Sequence, residues 1–202
     1  MGTRNLTMVV LDGEYKVAQY SQWDGYPSGQ GETVLRFILD KLGGSSVKTT
    51  MFKLAINKCK FLTDQEIKNK WIECGADPNH DMVGMEVSNK FKQNYPELYR
   101  DSGAGVLSLI QNGVSELQDS IDFAADSLFC EWAYLLDLDN EVLEIYKGFV
   151  KEPLEEKDRF YYLQGQCKKD YFPVRLLSKI PFDKLKADTM EILQREMDEE
   201  ED

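Results

Sequence analysis

Residues 5–11 are apolar at both alternating sets of positions, Leu6, Met8 and Val10 against Val9 and Leu11, which predicts a central strand covered on both faces. Residues 15–23 alternate aromatic or aliphatic with polar side chains, and Asp12-Gly13 between the two runs is the dipeptide of a two-residue hairpin. On the second strand Tyr15, Val17 and Trp23 share a face with Gln19 and Ser21, so that strand is expected to be partly exposed or to border a pocket. A second hairpin is predicted around Asp139-Asn140, from residues 130–138 and 141–147, with Trp132, Tyr134, Leu136 and Leu138 on one face.

Between the hairpins the apolar period lengthens. Val34, Leu35, Phe37, Ile38, Leu39 and Leu42 recur at helical spacing and Gly43-Gly44 stops the run, Gly43 standing where a left-handed cap is common. Residues 47–60, with Met51, Leu54, Ala55 and Ile56, predict a second helix. Thr63 followed by Glu66 is a capping-box pattern ahead of Ile67, Trp71 and Cys74, with Gly75 as the stop. Helices are predicted again over 82–94 and over 104–112, the latter closed by Gly113, with no strand between 43 and 113. Residues 114–123 suit a strand or an irregular crossing, 153–157 a short helix, and 160–163 and 172–177 short strands. Pro181-Phe182-Asp183 opens a terminal helix carrying Leu185, Ile192, Leu193 and Met197.

The pattern as a whole predicts an α+β fold. A mixed or mainly antiparallel sheet comes from two hairpins (about 4–23 and 129–148), with a helical block of about 44–113 inserted between them and a C-terminal helix. One domain over 1–197 and an acidic, disordered tail over 198–202 are expected. Strands and helices do not alternate singly, and Gly25, Gly29 and Gly31 lack the dinucleotide-binding spacing, so a doubly wound nucleotide fold is disfavoured.

At 202 residues the chain is long enough to bury most of its apolar surface without a metal or disulfide staple. It begins without a signal-peptide pattern, and no apolar run approaches the roughly 20 residues needed to cross a bilayer; a soluble, cytoplasmic protein with no membrane partner is expected. Met1-Gly2 imitates a myristoylation start, but Leu6 stands where Ser or Thr is required. Cys59, Cys74, Cys130 and Cys167 are widely spaced and accompanied by one histidine, His80, which predicts reduced thiols and no structural zinc. The balance of 24 basic and 36 acidic residues, net −12, makes direct nucleic-acid binding an unfavoured reading. Half of that charge lies in residues 190–202, at net −6, whereas residues 46–70 carry six lysines against Asp64 and Glu66, at net +4. That basic stretch suits a solvated helix face, or an attraction for a phosphate-bearing ligand.

Residues 22–31, Gln22-Trp23-Asp24-Gly25-Tyr26-Pro27-Ser28-Gly29-Gln30-Gly31, place large polar-tipped side chains among residues that permit unusual backbone angles and close approach. Gln22, Trp23, Asp24, Tyr26, Ser28 and Gln30 are therefore the candidate residues for binding a ligand or partner. The same composition suits an ordered turn in which Asp24 accepts from loop amides while the aromatics cover the core, and the residue pattern alone leaves both open. It implies no cofactor, and neither a catalytic residue nor a metal ligand is assigned.

Residues 4–7 and 23–31, together with Tyr134-Leu135-Leu136-Asp137-Leu138-Asp139 and Tyr146-Lys147-Gly148, resemble a group of uncharacterised proteins seen in bacteria, their phages and some fungi. The resemblance covers the hairpins and the first loop well and the helical block poorly. It implies a shared fold and, for a phage member, a role in countering host defence; it assigns no activity. A hydrolase triad would have to use His80, set in a Pro-Asn-His-Asp turn. An N-terminal nucleophile would need Thr3 exposed by removal of two residues. Asp137-Leu138-Asp139-Asn140 opens like a calcium loop, but Val142 stands where glycine belongs and Gly148 where glutamate belongs. Asp77, His80 and Asp81 lack further metal ligands nearby in sequence.

The function expected from these residues is that of a non-catalytic binding or inhibitor protein, plausibly phage-borne. It would act in the host cytoplasm on a host protein or a small, nucleotide-like signalling ligand, with the oligomeric state left open. Two rivals stand beside it: a hydrolase or transferase uniting Asp24, Tyr26 and His80 in one cleft, and an acidic mimic of nucleic acid.

Overall fold

A computed structural model describes residues 2–43, 46–80, 82–167 and 170–201. Met1, Gly44, Ser45, Asp81 and Asp202, on which some of the expectations above fall, lie outside the described residues. The chain opens with β1 (Asn5–Leu11) and β2 (Glu14–Ser21), joined at Asp12 and Gly13, both with positive φ (55° and 73°) as a right-twisted two-residue turn requires. A helical segment then runs from Pro27 to Leu42, with α1 (Glu32–Phe37) between two wider turns. There follow α2 (Ser46–Ile56), the two-residue β3 (Lys60–Phe61), α3 (Asp64–Glu73), α4 (Met85–Asn94), α5 (Val106–Gln111) and the two-residue β4 (Glu116–Leu117). The second hairpin is β5 (Trp132–Asp137) with β6 (Val142–Lys147), after which come β7 (Arg175–Pro181) and α6 (Thr189–Glu201).

The main sheet has the order β2-β1-β5-β6-β7. The two hairpins meet through the parallel pair β1–β5, and every other neighbouring pair is antiparallel. The fold is α+β with a mixed sheet. Every residue of β1 is buried, because both faces are covered. On one face Val9, Leu11, Trp132, Tyr134 and Leu136 pack against α1, α2, α5 and α6. On the other, Leu6, Met8, Val10, Ala133, Leu135 and Tyr146 pack against Phe160, Leu163 and Val174, carried by short turns. A small satellite core joins α3 to α4, where Trp71 stacks on Phe91 with ring centroids 3.6 Å apart. The predicted capping box forms: Glu66 N donates to Thr63 Oγ1 (3.3 Å) and Thr63 N to Glu66 Oε2 (2.8 Å).

Several local expectations are corrected. A bulge at β1–β2 pairs Val9 with Val17 but Val10 with Tyr15, so Tyr15 turns away from the face of Val17 and stacks on Phe160. Gly43 has φ −57°, not a left-handed cap; its amide closes a wide turn onto the Ile38 carbonyl (2.6 Å). β3 and β4 form a small parallel pair; β3 lies in the stretch where the pattern gave no strand, and β4 within residues 114–123, where a strand was one of the two readings. Residues 160–163 belong to a tight helical turn (Tyr161–Gln166) rather than a strand, and no helix forms over 153–157. The last helix begins at Thr189, after a single turn at Phe182–Lys184, and continues through the acidic run to Glu201.

Candidate functional site

Residues 22–31 leave β2 and turn into α1, and most of their backbone groups are engaged in holding that turn. Gly25 N donates to the Thr3 carbonyl (2.9 Å), Gln30 N to the Asp24 carbonyl (2.8 Å), and the hydroxyl of buried Tyr134 to the Gly25 carbonyl (2.8 Å). Asp24 takes a left-handed backbone (φ 56°), which Asp tolerates better than most residues. A β-carbon at Gly29 would run into the Asp24 carbonyl, so glycine is required there by close approach.

Two of the six candidate residues are half-buried and hydrogen-bonded within the chain. Gln30 Oε1 accepts from Ala104 N (2.7 Å), tying the turn to the segment before α5, and Gln22 Oε1 accepts from the Tyr20 hydroxyl (2.6 Å). The other four stand outward. Trp23 is 46% exposed and Tyr26 48%, large fractions for side chains of this size, and Asp24 and Ser28 are exposed as well. Trp23 also serves the fold: its Nε1 donates to Asp101 Oδ1 (3.2 Å) and its ring lies against Gly2. Among the described residues the Asp24 carboxylate has no ion pair and no hydrogen-bond donor, and no partner is recorded for the Tyr26 hydroxyl. Two exposed rings thus neighbour an exposed carboxylate in sequence, a set that suits a cation presented by another molecule. Ser28 also lines an open groove of about 440 Å³ between α1 and α6, with Glu32, Arg36, Glu191, Arg195 and Asp198.

Beneath the turn lies a polar strip that the sequence pattern hinted at through Gln19 and Ser21. Asn5 pairs across the strands with Ser21 and Thr7 with Gln19; all four are buried, and Gly103–Gly105 lie over them. Asn5 Nδ2 donates to the Trp23 carbonyl (3.2 Å) and Gln19 Nε2 to the Tyr20 carbonyl (3.1 Å). Asn5 Oδ1, Thr7 Oγ1, Gln19 Oε1 and Ser21 Oγ have no hydrogen-bond partner in the protein. Each such atom costs roughly 1–3 kcal/mol, so this strip works against stability directly under the exposed loop.

His80 is elsewhere. It lines an apolar groove of about 400 Å³ with Ile67, Trp71, Ile72, Pro78 and Val83, none of the loop residues borders that groove, and its Nε2 lies 3.9 Å from the Asp77 carboxylate. Asp24, Tyr26 and His80 therefore do not share a cleft. Among the described residues no group of three or more His, Cys, Asp or Glu side chains is placed to hold a metal. The four cysteines are free thiols, and burial pushes the Cys59 thiol up to about 11, away from the reactive thiolate form.

One charged cluster was missed by the sequence reading. Arg159 Nε donates to Glu144 Oε2 (2.7 Å) and its Nη2 to Asp137 Oδ2 (2.9 Å). Lys179 Nζ donates to Glu144 Oε1 (2.8 Å) and the Tyr146 hydroxyl to Glu144 Oε2 (2.5 Å). Burial opposes ionisation of both acids. The donors from Arg159, Lys179 and Tyr146 at Glu144, and from Asn140 and Arg159 at Asp137, outweigh it and hold both carboxyls below their usual range. Neither acid is poised to exchange a proton near neutrality, and the cluster clamps the chain around residue 159 onto the sheet. Its sequence signal was Glu144 itself, a charge inside the apolar run 142–146. Asp139, from the calcium-like stretch, instead accepts from the amides of Asp12 (2.9 Å) and Gly13 (2.8 Å) and joins the two hairpin turns.

Among the described residues no helix is long and apolar enough to cross a membrane. No known family model matches this chain, and no curated protein and no solved structure matches it either.

Proposed function

We propose that this chain is a non-catalytic binding protein that engages a protein partner through Trp23, Asp24 and Tyr26, with Ser28 at the margin. The observation that carries this reading is the pairing of a turn held by buried hydrogen bonds with two half-exposed rings and an unpaired carboxylate on its outer side. Trp23, held by its bond to Asp101, loses little entropy on binding, and Trp and Tyr are the side chains that dominate interface energetics. Trp23, Asp24 and Tyr26 border neither of the grooves described above, which supports a macromolecular partner over an enclosed small ligand. The free carboxylate between rings favours an Arg or Lys on that partner. The inhibitory, counter-defence role implied by the resemblance belongs to this proposal, since covering a host protein's surface needs no reacting group.

The rival enzyme reading asked for the loop, His80 or a buried acid pair to meet in one cleft. The acid pair Asp137 and Glu144 lies on the sheet face of Leu135 and Tyr146, opposite the face on which Tyr134 holds the loop, so the pair and the loop share no cleft. The test is affinity capture from cells of the natural source with the intact chain and with Asp24→Asn/Tyr26→Ala. Asparagine keeps the left-handed backbone, and neither change removes a bond that holds the turn. A discrete protein retained by the intact chain and lost by a variant with the same thermal melt supports the proposal; equal retention by the two refutes it.

A further inference from the structure

Residues 100–105, on the way from α4 to α5, lie as a thin strap over the buried polar strip of β1 and β2. The strap is anchored before and after by Leu98 in the satellite core and Val106 in the main core. Between those anchors Ala104 is the only buried side chain, and Gly103 takes a left-handed backbone (φ 47°). What holds the strap down is polar. Gln22 N donates to the Arg100 carbonyl (3.0 Å), Trp23 Nε1 and Lys92 Nζ to the Asp101 carboxylate (3.2 and 3.0 Å), and Ala104 N to Gln30 Oε1 (2.7 Å). Water replaces bonds of this kind at little net cost when a segment lifts. Beneath the strap the balance tilts the other way. Asn5 Oδ1, Thr7 Oγ1, Gln19 Oε1 and Ser21 Oγ, on side chains at most 4% exposed, have no partner in the protein and gain one only when water reaches them.

We propose that residues 100–105 lift from the otherwise folded protein, wetting the four orphaned side chains, and that the loop of residues 22–31 loosens in the same event. Three of the four bonds that hold the strap come from Gln22, Trp23 and Gln30, so the strap does not lift without releasing the loop. The sheet stays closed, because β1 keeps β2 on one side and β5 on the other. The form seen here is the closed one, and the open form is a minor population that the orphaned groups enlarge. Opening is a property of the chain alone and stands whether or not the loop binds a protein. A partner that grips Trp23 where it stands selects the closed form, a corollary that alone rests on the function proposed above.

The test is hydrogen exchange of the full chain, read amide by amide by NMR in buffer and in low concentrations of urea. The Ala104 and Gln22 amides are expected to share one opening constant, about a hundredfold or more above that of the β5 amides. It should depend little on urea, since a short segment exposes little surface. Thr7→Val removes an orphaned hydroxyl and keeps the side chain's shape, and Ser21→Ala removes a second; each should slow exchange at Ala104 and Gln22 by about fivefold or more. Gln30→Ala should speed it at both. Exchange at Ala104 as slow and as urea-dependent as in β5 would mean that the strap opens only with the whole fold, and would overturn the proposal. Unrelated opening constants at Ala104 and Gln22 overturn it too, as does unaltered exchange in Thr7→Val.

Discussion

Asp24 is the only residue between positions 22 and 31 with a left-handed backbone, and its carbonyl is where the turn closes. Because Gly29 passes against that carbonyl, Gly29→Ala forces backbone to move, at a cost of about 1–3 kcal/mol, typical of an overpacked site. A thermal melt lowered by several degrees is expected, together with loss of partner capture; an unchanged melt would show that the turn is not held tightly. At the buried strip the expected sign reverses. Thr7 Oγ1 has no partner, so Thr7→Val removes a desolvated hydroxyl and keeps the shape. It should leave the melting temperature unchanged or raise it by a few degrees, whereas a fall would mean that the hydroxyl is satisfied in solution.

At the scale of elements, those with strong local signals were legible in the sequence. Asp12-Gly13, the Thr63/Glu66 box, and the left-handed stops at Gly75 and Gly113 each act within a few residues, and each appears where the pattern placed it. The chain from residue 150 to 188 was not legible. Its tight turns exist because Phe160 and Leu163 dock on the sheet and Arg159 reaches Glu144, and such long-range partners leave no periodicity to read. Of the loop, the composition showed that a special turn was present. It did not show that Gln30 ties the turn to Ala104 while Trp23, Asp24 and Tyr26 face out, since that depends on Ala104 and Tyr134, both distant in sequence. The satellite core yields a prediction of its own: α3 and α4 are held to each other chiefly by the Trp71–Phe91 stack. Trp71→Ala should cost about 3–5 kcal/mol locally and raise amide exchange over residues 62–99 while β1 and β5 stay protected. Equal loss of protection in the sheet would show that the satellite is not separable.

For the molecule as a whole, the sheet carries a charged clamp on the face opposite the helices. Asp137 and Glu144 have depressed pKa values in the fold, so their contribution to stability is fully present above the unfolded value of about 4 and is lost as pH falls through the lower folded values. Acid unfolding should therefore steepen below about pH 4. Glu144→Gln should remove much of that dependence. It also leaves Arg159 and Lys179 without their main acceptor, at a cost of about 2–4 kcal/mol at neutral pH, reduced by the solvent both still touch. A variant melting like the natural chain from pH 3 to 7 would contradict the clamp.

The surface proposed for recognition stands apart from this clamp, and one measurement tests it most directly. A photoreactive benzoylphenylalanine is placed at Tyr26 and, as a control, at the exposed Lys157, and each protein is irradiated in cells of the natural source. A discrete heavier adduct formed from position 26, absent from position 157 and suppressed by excess unlabelled chain, is the predicted result. The same adducts from both positions, or none from position 26, would contradict the account.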